Sequence, residues 1–149
     1  MNVSSVRRFG IVGAGQMGRG IAQVAAAAGF DVILSDVSLA FAEGGKDKIA
    51  QALAKQVDKG KMKPEDRDQL LARIEVREGV SEFSRVDIAV EAATENPEIK
   101  TRIFRDTDAA LPKDAILASN TSSISITRLA AATSRPNRVI GMHFMNPVP

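Results

Sequence analysis

Apolar residues in this chain fall into two alternating kinds of run. Short continuous runs at residues 8–12, 32–34, 87–92, 115–118 and 138–144 have the composition of strands covered on both faces by helices. Between them lie stretches with helical spacing. Residues 17–28 are rich in alanine, free of proline and end at Gly29, which predicts a helix with a glycine stop. Ser38 is placed to cap a long helix in which Ile49, Leu53 and Val57 recur four apart, while Lys46, Lys48, Lys55 and Lys59 supply polar surface. The pair Gly44-Gly45 weakens the first half of that helix. Pro64 opens a further helix to about residue 74. Asn96-Pro97 opens another by cap and first-turn proline, with Ile99, Ile103, Phe104 and Leu111 as its buried face. A short helix at 126–131 precedes the last strand. The order βαβ(αα)βαβαβ predicts right-handed crossovers and a doubly wound α/β fold, its sheet mainly parallel with helices on both faces.

The 149 residues suffice for one domain. A hydrophobic content of 44% and a charged content of 26% are those of a globular chain. The net charge is only +2, with acids and bases interspersed, so neither nucleic-acid nor membrane binding is expected. The absence of cysteine excludes a disulfide framework and a thiolate nucleophile, and a single histidine argues against a zinc site, so no metal is expected. Residues 1–8 are a polar lead-in without the apolar stretch of a secretory signal, which makes the cytoplasm the expected compartment.

The turn after the first strand changes the picture most. It reads Gly13-Ala14-Gly15-Gln16-Met17-Gly18, a G-x-G-x-x-G between a predicted strand and a predicted helix. Gly13 permits the tight turn, Gly15 lets a pyrophosphate approach the backbone, and Gly18 lets helix and strand pack closely. The free N–H groups of the helix N-terminus then face the phosphates. Asp36 ends the second strand eighteen residues after Gly18, where an acid holds the adenosine ribose hydroxyls and repels a 2′-phosphate. The expected fold is therefore Rossmann-type and the expected cofactor NAD. NADP is disfavoured, although Arg7, Arg8 and Arg19 lie near in sequence. A flavin would find little second surface in so short a chain.

Two late segments place polar groups at strand C-termini, where such sheets bind ligands. They are Ser119-Asn120-Thr121-Ser122-Ser123 and His143-Phe144-Met145-Asn146-Pro147. Oxidation of a secondary alcohol needs a base for the hydroxyl proton, and an imidazole suits that task near neutral pH. Ser122 is placed to position the same oxygen, Asn120 and Asn146 to fix cofactor or substrate, and Lys100 to supply positive charge. Spacing and residue type alone leave an ordinary surface histidine and ordinary serine-rich turn chemistry open.

The chain resembles, end to end, the N-terminal domain of the 3-hydroxyacyl-CoA dehydrogenases, particularly the 3-hydroxybutyryl-CoA dehydrogenases of bacteria. The resemblance is carried by the glycine turn extended through Arg19-Gly20-Ile21-Ala22, by Glu91-Ala92-Ala93-Thr94-Glu95-Asn96, by residues 116–123, and by residues 141–149. It implies reversible NAD-dependent oxidation of a (3S)-3-hydroxyacyl-CoA to a 3-ketoacyl-CoA, a step of fatty-acid metabolism such as β-oxidation. His143 would be the general acid/base and Ser122 would bond the substrate oxygen. Gly13, Gly15, Gln16, Met17 and Gly18 would bind the cofactor and Asp36 would hold its adenosine ribose, while Glu95, Lys100, Asn120 and Ser122 would lie along the nicotinamide half. Asn146 would help seat substrate. Lys59, with Lys55 before it, would lie near the CoA phosphates, with a solvated helix face as the alternative. A serine that the family often places on that helix is Ala52 here.

Members of the family continue after the Asn-Pro-Val-Pro turn into a helical domain that supplies the acid paired with the histidine and most of a homodimer interface. Residues 1–149 are thus expected to form the NAD-binding Rossmann domain of a longer enzyme and to be a poor catalyst alone, with an apolar face left for the missing helices. Two other readings stand beside this one. The chain is a non-catalytic NAD-binding module, or it is a 3-hydroxyacid dehydrogenase of the 6-phosphogluconate type, against which residues 119–123 and 143–147 argue.

Overall fold

The side chains of each central strand sort to opposite faces with period two, and this alternation builds two separate apolar cores in the computed structural model, which describes residues 2–149. Ile11, Leu34, Val90 and Ala118 point to one core, and Val12, Ile33, Ala89 and Leu117 to the other. The strands are β1 (Arg8–Val12), β2 (Asp31–Asp36), β3 (Ile74–Glu78), β4 (Ile88–Glu91), β5 (Ile116–Ser119) and β6 (Val139–Gly141). All neighbouring pairs are parallel, in the order β3-β2-β1-β4-β5-β6. Strand order reverses between β1 and β4, and the crevice at their C-terminal ends is where ligands of this architecture bind.

The helices are α1 (Gln16–Ala27), α2 (Leu39–Asp58), α3 (Pro64–Ala72), α4 (Pro97–Ala110) and α5 (Ile126–Ala131). The first core takes Ile21, Ala22 and Ala25 from α1, Ile49 and Leu53 from α2 and Leu70 from α3. The second takes Phe104 from α4, Leu129 from α5 and Phe83 from a short 3-10 turn. α1 stops as its glycine predicts. Gly29 adopts φ +93°, its N–H donates to Ala26 O, and Phe30 N–H donates to Ala25 O, a Schellman closure. Ser38 Oγ accepts from Phe41 N–H at the start of α2, and Asn96 Oδ1 accepts from the N–H groups of Glu98 and Ile99 at the start of α4.

The structure corrects the sequence reading in four places. β3 is a sixth strand where none was expected, and it starts at residue 74, the expected end of the third helix. Only Arg73 separates α3 from it, and its alternation of Ile74 and Val76 with Glu75, Arg77 and Glu78 is that of a half-exposed edge strand. The last strand is three residues long rather than seven, and beyond Gly141 the backbone leaves the sheet to form the site. On α4, Ile99 is exposed while Lys100 and Thr107 are buried with Phe104. Lys46 is not free surface, because its Nζ donates to Ile74 O at 2.6 Å and ties α2 to β3. Gly44-Gly45 lies within an uninterrupted α2. A Cβ on Gly45 would stand 2.8 Å from both the Cβ and the carbonyl oxygen of Ala14, so the missing side chain lets α2 press against the glycine turn. No helix among the described residues is long and apolar enough to cross a membrane.

Candidate active site

The glycine turn leaves β1 through Gly13, whose φ of +106° lies in the region that disfavours other residues, and whose N–H donates to Ser35 O at 2.8 Å. Gly18 is forced by packing: a Cβ there would lie 1.7 Å from Gly13 O. Gly15 differs from both. It caps α1 with φ −70°, and nothing stands within 4 Å of where its Cβ would be. The first turn of α1 therefore faces open space with unpaired N–H groups, a cradle for an anionic group.

Asp36 closes one side of this cradle. Its Oδ2 accepts from Ala14 N–H at 2.8 Å and its Oδ1 from Val37 N–H at 2.7 Å, which fixes the carboxylate between two cavities. One, of about 160 Å³, is apolar and lined by Val12, Gly13, Val37, Val80, Ala93 and Ile103, suited to a flat heterocycle. The other is lined by Gly15, Arg19, Phe41, Gly44 and Lys48.

A further cavity lies at the ends of β4 and β5, lined by Met17, Ala93, Thr94, Glu95, Lys100 and Asn120. Four residues singled out from the sequence thus meet at one place. The Glu95 carboxylate accepts from Thr121 Oγ1 at 2.8 Å and Ser123 Oγ at 2.9 Å. Desolvation pushes its pKa up, but these two hydrogen bonds and the charges of Lys100 and His143 outweigh that and hold the group below the usual carboxylate range. Lys100 is not the free cation the sequence suggested. Its ammonium is 1% exposed and paired with Glu91, which is fully buried, and it also reaches Ser119 Oγ at 3.4 Å. Glu91, Ser119 and Thr121 also belong to the site; the sequence placed them within the segments 91–96 and 119–123 but gave none of the three a role of its own.

His143 stands two residues past β6, where Ser119 of β5 pairs with Gly141. Its Nδ1 is 2.7 Å from Asn120 O. A carbonyl only accepts, so Nδ1 carries the proton and the exposed Nε2 presents a lone pair. Asn120 Oδ1 accepts from Phe144 N–H at 2.7 Å, so one residue fixes both the ring and its backbone. Asn146 Oδ1 accepts from Gln16 Nε2 at 3.1 Å, tying the chain end to the glycine turn. Val148 packs over Gly20, whose Cβ would lie 2.1 Å from Val148 O. Ser122 is exposed beside Thr121 on the same loop as Asn120. Lys59 is not brought to this cluster. It caps the far end of the twenty-residue α2, about 30 Å along the helix from Ser38.

Residues 8–149 match the model of the family described as 3-hydroxyacyl-CoA dehydrogenase, NAD binding domain. The chain belongs to this family. Among relatives of this NAD-binding domain, a 3-hydroxybutyryl-CoA dehydrogenase of Bradyrhizobium diazoefficiens is 51% identical over 144 residues, which cover 97% of this chain and 49% of the relative. A fatty acid oxidation complex subunit alpha of Acinetobacter baylyi is 45% identical, with 96% of this chain and 20% of the relative covered. The crystal structure of (S)-3-hydroxybutyryl-CoA dehydrogenase from Ralstonia eutropha superposes with a TM-score of 0.94 at 47% identity, covering 97% of this chain and 51% of that one. The chain spans about half the length of the 3-hydroxybutyryl-CoA dehydrogenases it matches. The cofactor of this 3-hydroxyacyl-CoA dehydrogenase domain is NAD, and the open cradle at Gly15, the fixed Asp36 carboxylate and the apolar cavity beside it fit that group.

Proposed function

We propose that this domain binds NAD across the β1–β4 crevice and, in the protein as its source cell makes it, carries the acid/base half of a reversible oxidation of (3S)-3-hydroxyacyl-CoA to 3-ketoacyl-CoA. The observation that carries the reading is the Nδ1 of His143 held on Asn120 O, which presents Nε2 as a base beside the cavity of Met17, Glu95 and Lys100. Bound NAD supplies the hydride acceptor. His143 Nε2 takes the hydroxyl proton of the alcohol and returns it in the reverse direction. As the ring becomes cationic, the Asn120 carbonyl remains a good acceptor for Nδ1–H. Ser122 Oγ positions the reacting oxygen, and Asn146, held by Gln16, lines the substrate side.

Gly13, Gly15 and Gly18, with the first-turn N–H groups of Gln16 and Met17, cradle the pyrophosphate, and Asp36 takes the ribose hydroxyls. In this reading Lys59 meets the substrate only through the distal phosphates of CoA. A second, helical domain completes the site and forms a homodimer; its support is the length of the relatives and the exposure of Ile140 and Met145 on either side of His143.

The test is NADH consumption with acetoacetyl-CoA by the natural-length protein. Turnover that requires the CoA ester supports the reading. NADH binding without turnover on any 3-ketoacyl-CoA refutes the enzyme and leaves a nucleotide-binding module.

A further inference from the structure

β4 ends in a charge that no solvent reaches. The Glu91 side chain is 0% exposed, yet its polar atoms touch each segment that walls the cavity of Glu95 and Asn120 except α1, which contributes Met17. Oε1 accepts from Lys100 Nζ on α4 and from Ser119 Oγ at the end of β5, the latter at 2.8 Å. Oε2 accepts from Ala93 N–H at 2.9 Å in the turn leading to Glu95. Its backbone oxygen accepts from Asn120 N–H at 2.9 Å. Glu91 itself does not line the cavity, whereas Lys100 does. Of the three N–H donors on Lys100, two are directed to Glu91 and Ser119, and the third has no protein acceptor among the described residues.

A buried ion pair is seldom more stable than apolar side chains of the same volume, so stability alone does not account for a Glu–Lys pair between the two apolar cores. The cavity offers a reason. The nicotinamide ring carries a positive charge when oxidised and none when reduced, so any fixed charge beside it alters the ratio of the two affinities. With Glu91 in place, the Lys100 ammonium is neutralised, and the charge left facing the cavity is that of Glu95, held ionised by Thr121 and Ser123.

We infer that Glu91 is a positioning residue that sets the balance between oxidised and reduced nicotinamide, by cancelling the charge of Lys100 while leaving it one N–H for the ligand. The inference rests on the assignment of this cavity to the nicotinamide half of NAD.

The experiment is a pair of titrations on the natural-length protein: NADH by its own fluorescence, and NAD⁺ by competition against it. In E91Q the uncompensated Lys100 raises the ratio of the NAD⁺ to the NADH dissociation constant by roughly tenfold or more, the scale of one unit charge acting within a protein. The double variant E91Q/K100Q, which removes both charges, returns the ratio to near the wild-type value. A purely structural Glu91 weakens both nucleotides together, keeps the ratio constant in E91Q and gains nothing from the second substitution, and that result overturns the inference. If circular dichroism shows E91Q to be unfolded, K100Q alone decides, because the surviving carboxylate must move the ratio towards NAD⁺; an unchanged ratio again overturns it. Failure of the wild-type protein to bind either nucleotide removes the NAD reading itself and this inference with it.

Discussion

Gly15 and Gly18 are three residues apart in one turn, and the structure assigns them opposite sensitivities to a single methyl group. At Gly15 an alanine is free to form. Its φ of −70° is ordinary, and no atom lies within 4 Å of the new Cβ. The lower entropy of the unfolded chain favours the alanine by about 0.4–1 kcal/mol, and the loss of glycine at a helix N-cap opposes it by a similar amount. Gly15→Ala should therefore melt within about 4 °C of the parent, at roughly 2–4 °C per kcal/mol for a domain of this size. The methyl group fills the cradle, however, and NADH binding should weaken by roughly tenfold or more, about 1.4 kcal/mol. At Gly18 the new Cβ would stand 1.7 Å from Gly13 O, about half an ordinary contact distance. The clash is with backbone that is itself held by Ser35 O, so the cost belongs at or above the upper end of the roughly 1–3 kcal/mol of an overpacked core. Gly18→Ala should lower the melting temperature by about 6–12 °C. Thermal unfolding followed by circular dichroism, with NADH titration of each variant at 20 °C below its own midpoint (about one comparison condition for all), separates the two. A Gly15→Ala protein that binds NADH as tightly as the parent would refute the placement of the pyrophosphate, and one that unfolds would refute the packing argument.

Three further outcomes rest on buried or fixed charges elsewhere in the domain. Arg135 is buried and donates to Asp108 and to the carbonyl oxygens of Asp108, Leu111, Pro112 and Ala115, so Arg135→Met should cost about 3–5 kcal/mol in urea unfolding by taking the guanidinium from these carbonyl oxygens and from the partly buried Asp108 carboxylate; a loss under 1 kcal/mol contradicts this. Desolvation pushes the Asp108 carboxyl up, but hydrogen bonds from Ser134 and Arg135 outweigh it and hold it below the usual carboxylate range. Its share of stability is therefore complete above the unfolded carboxylate pKa of about 3.9 and is lost as pH falls through the lower folded value; urea midpoints between pH 6 and pH 2 should fall more steeply for the parent than for Asp108→Asn. Replacing the fixed carboxylate in Asp36→Ser should weaken NADH and strengthen NADPH, read as a fall in their affinity ratio by roughly tenfold or more; an unchanged ratio removes Asp36 from the ribose site.

Much of the fold was legible because the central strands are buried on both faces and hence uninterrupted in sequence, as in Val32-Ile33-Leu34. β3 escaped because an edge strand keeps one face in water, and the polar Glu75, Arg77 and Glu78 break up the apolar run that marks the other strands. The buried stripe of α4 was misjudged by one position at its start. Residues 100, 104, 107 and 111 share a helical face, and Lys100 was passed over because a lysine is buried only when a partner waits for it. That partner is Glu91, nine residues earlier, and their meeting depends on how α4 returns across the end of β4. The glycine turn and Asp36 were readable because local spacing dictates them. The contact of His143 with Asn120 was not, since it is fixed by the β5–β6 register, through Ser119 opposite Gly141.

The central claim is that His143 moves the proton and takes no part in holding the cofactor. Its most direct test is a paired measurement on the natural-length protein and its His143→Ala variant, comparing kcat with acetoacetyl-CoA against the dissociation constant for NADH. The account predicts a fall in kcat of at least about 10²-fold, the scale of a lost general acid, with NADH affinity unchanged. A variant that keeps most of its turnover, or one that loses NADH binding along with it, would contradict the account.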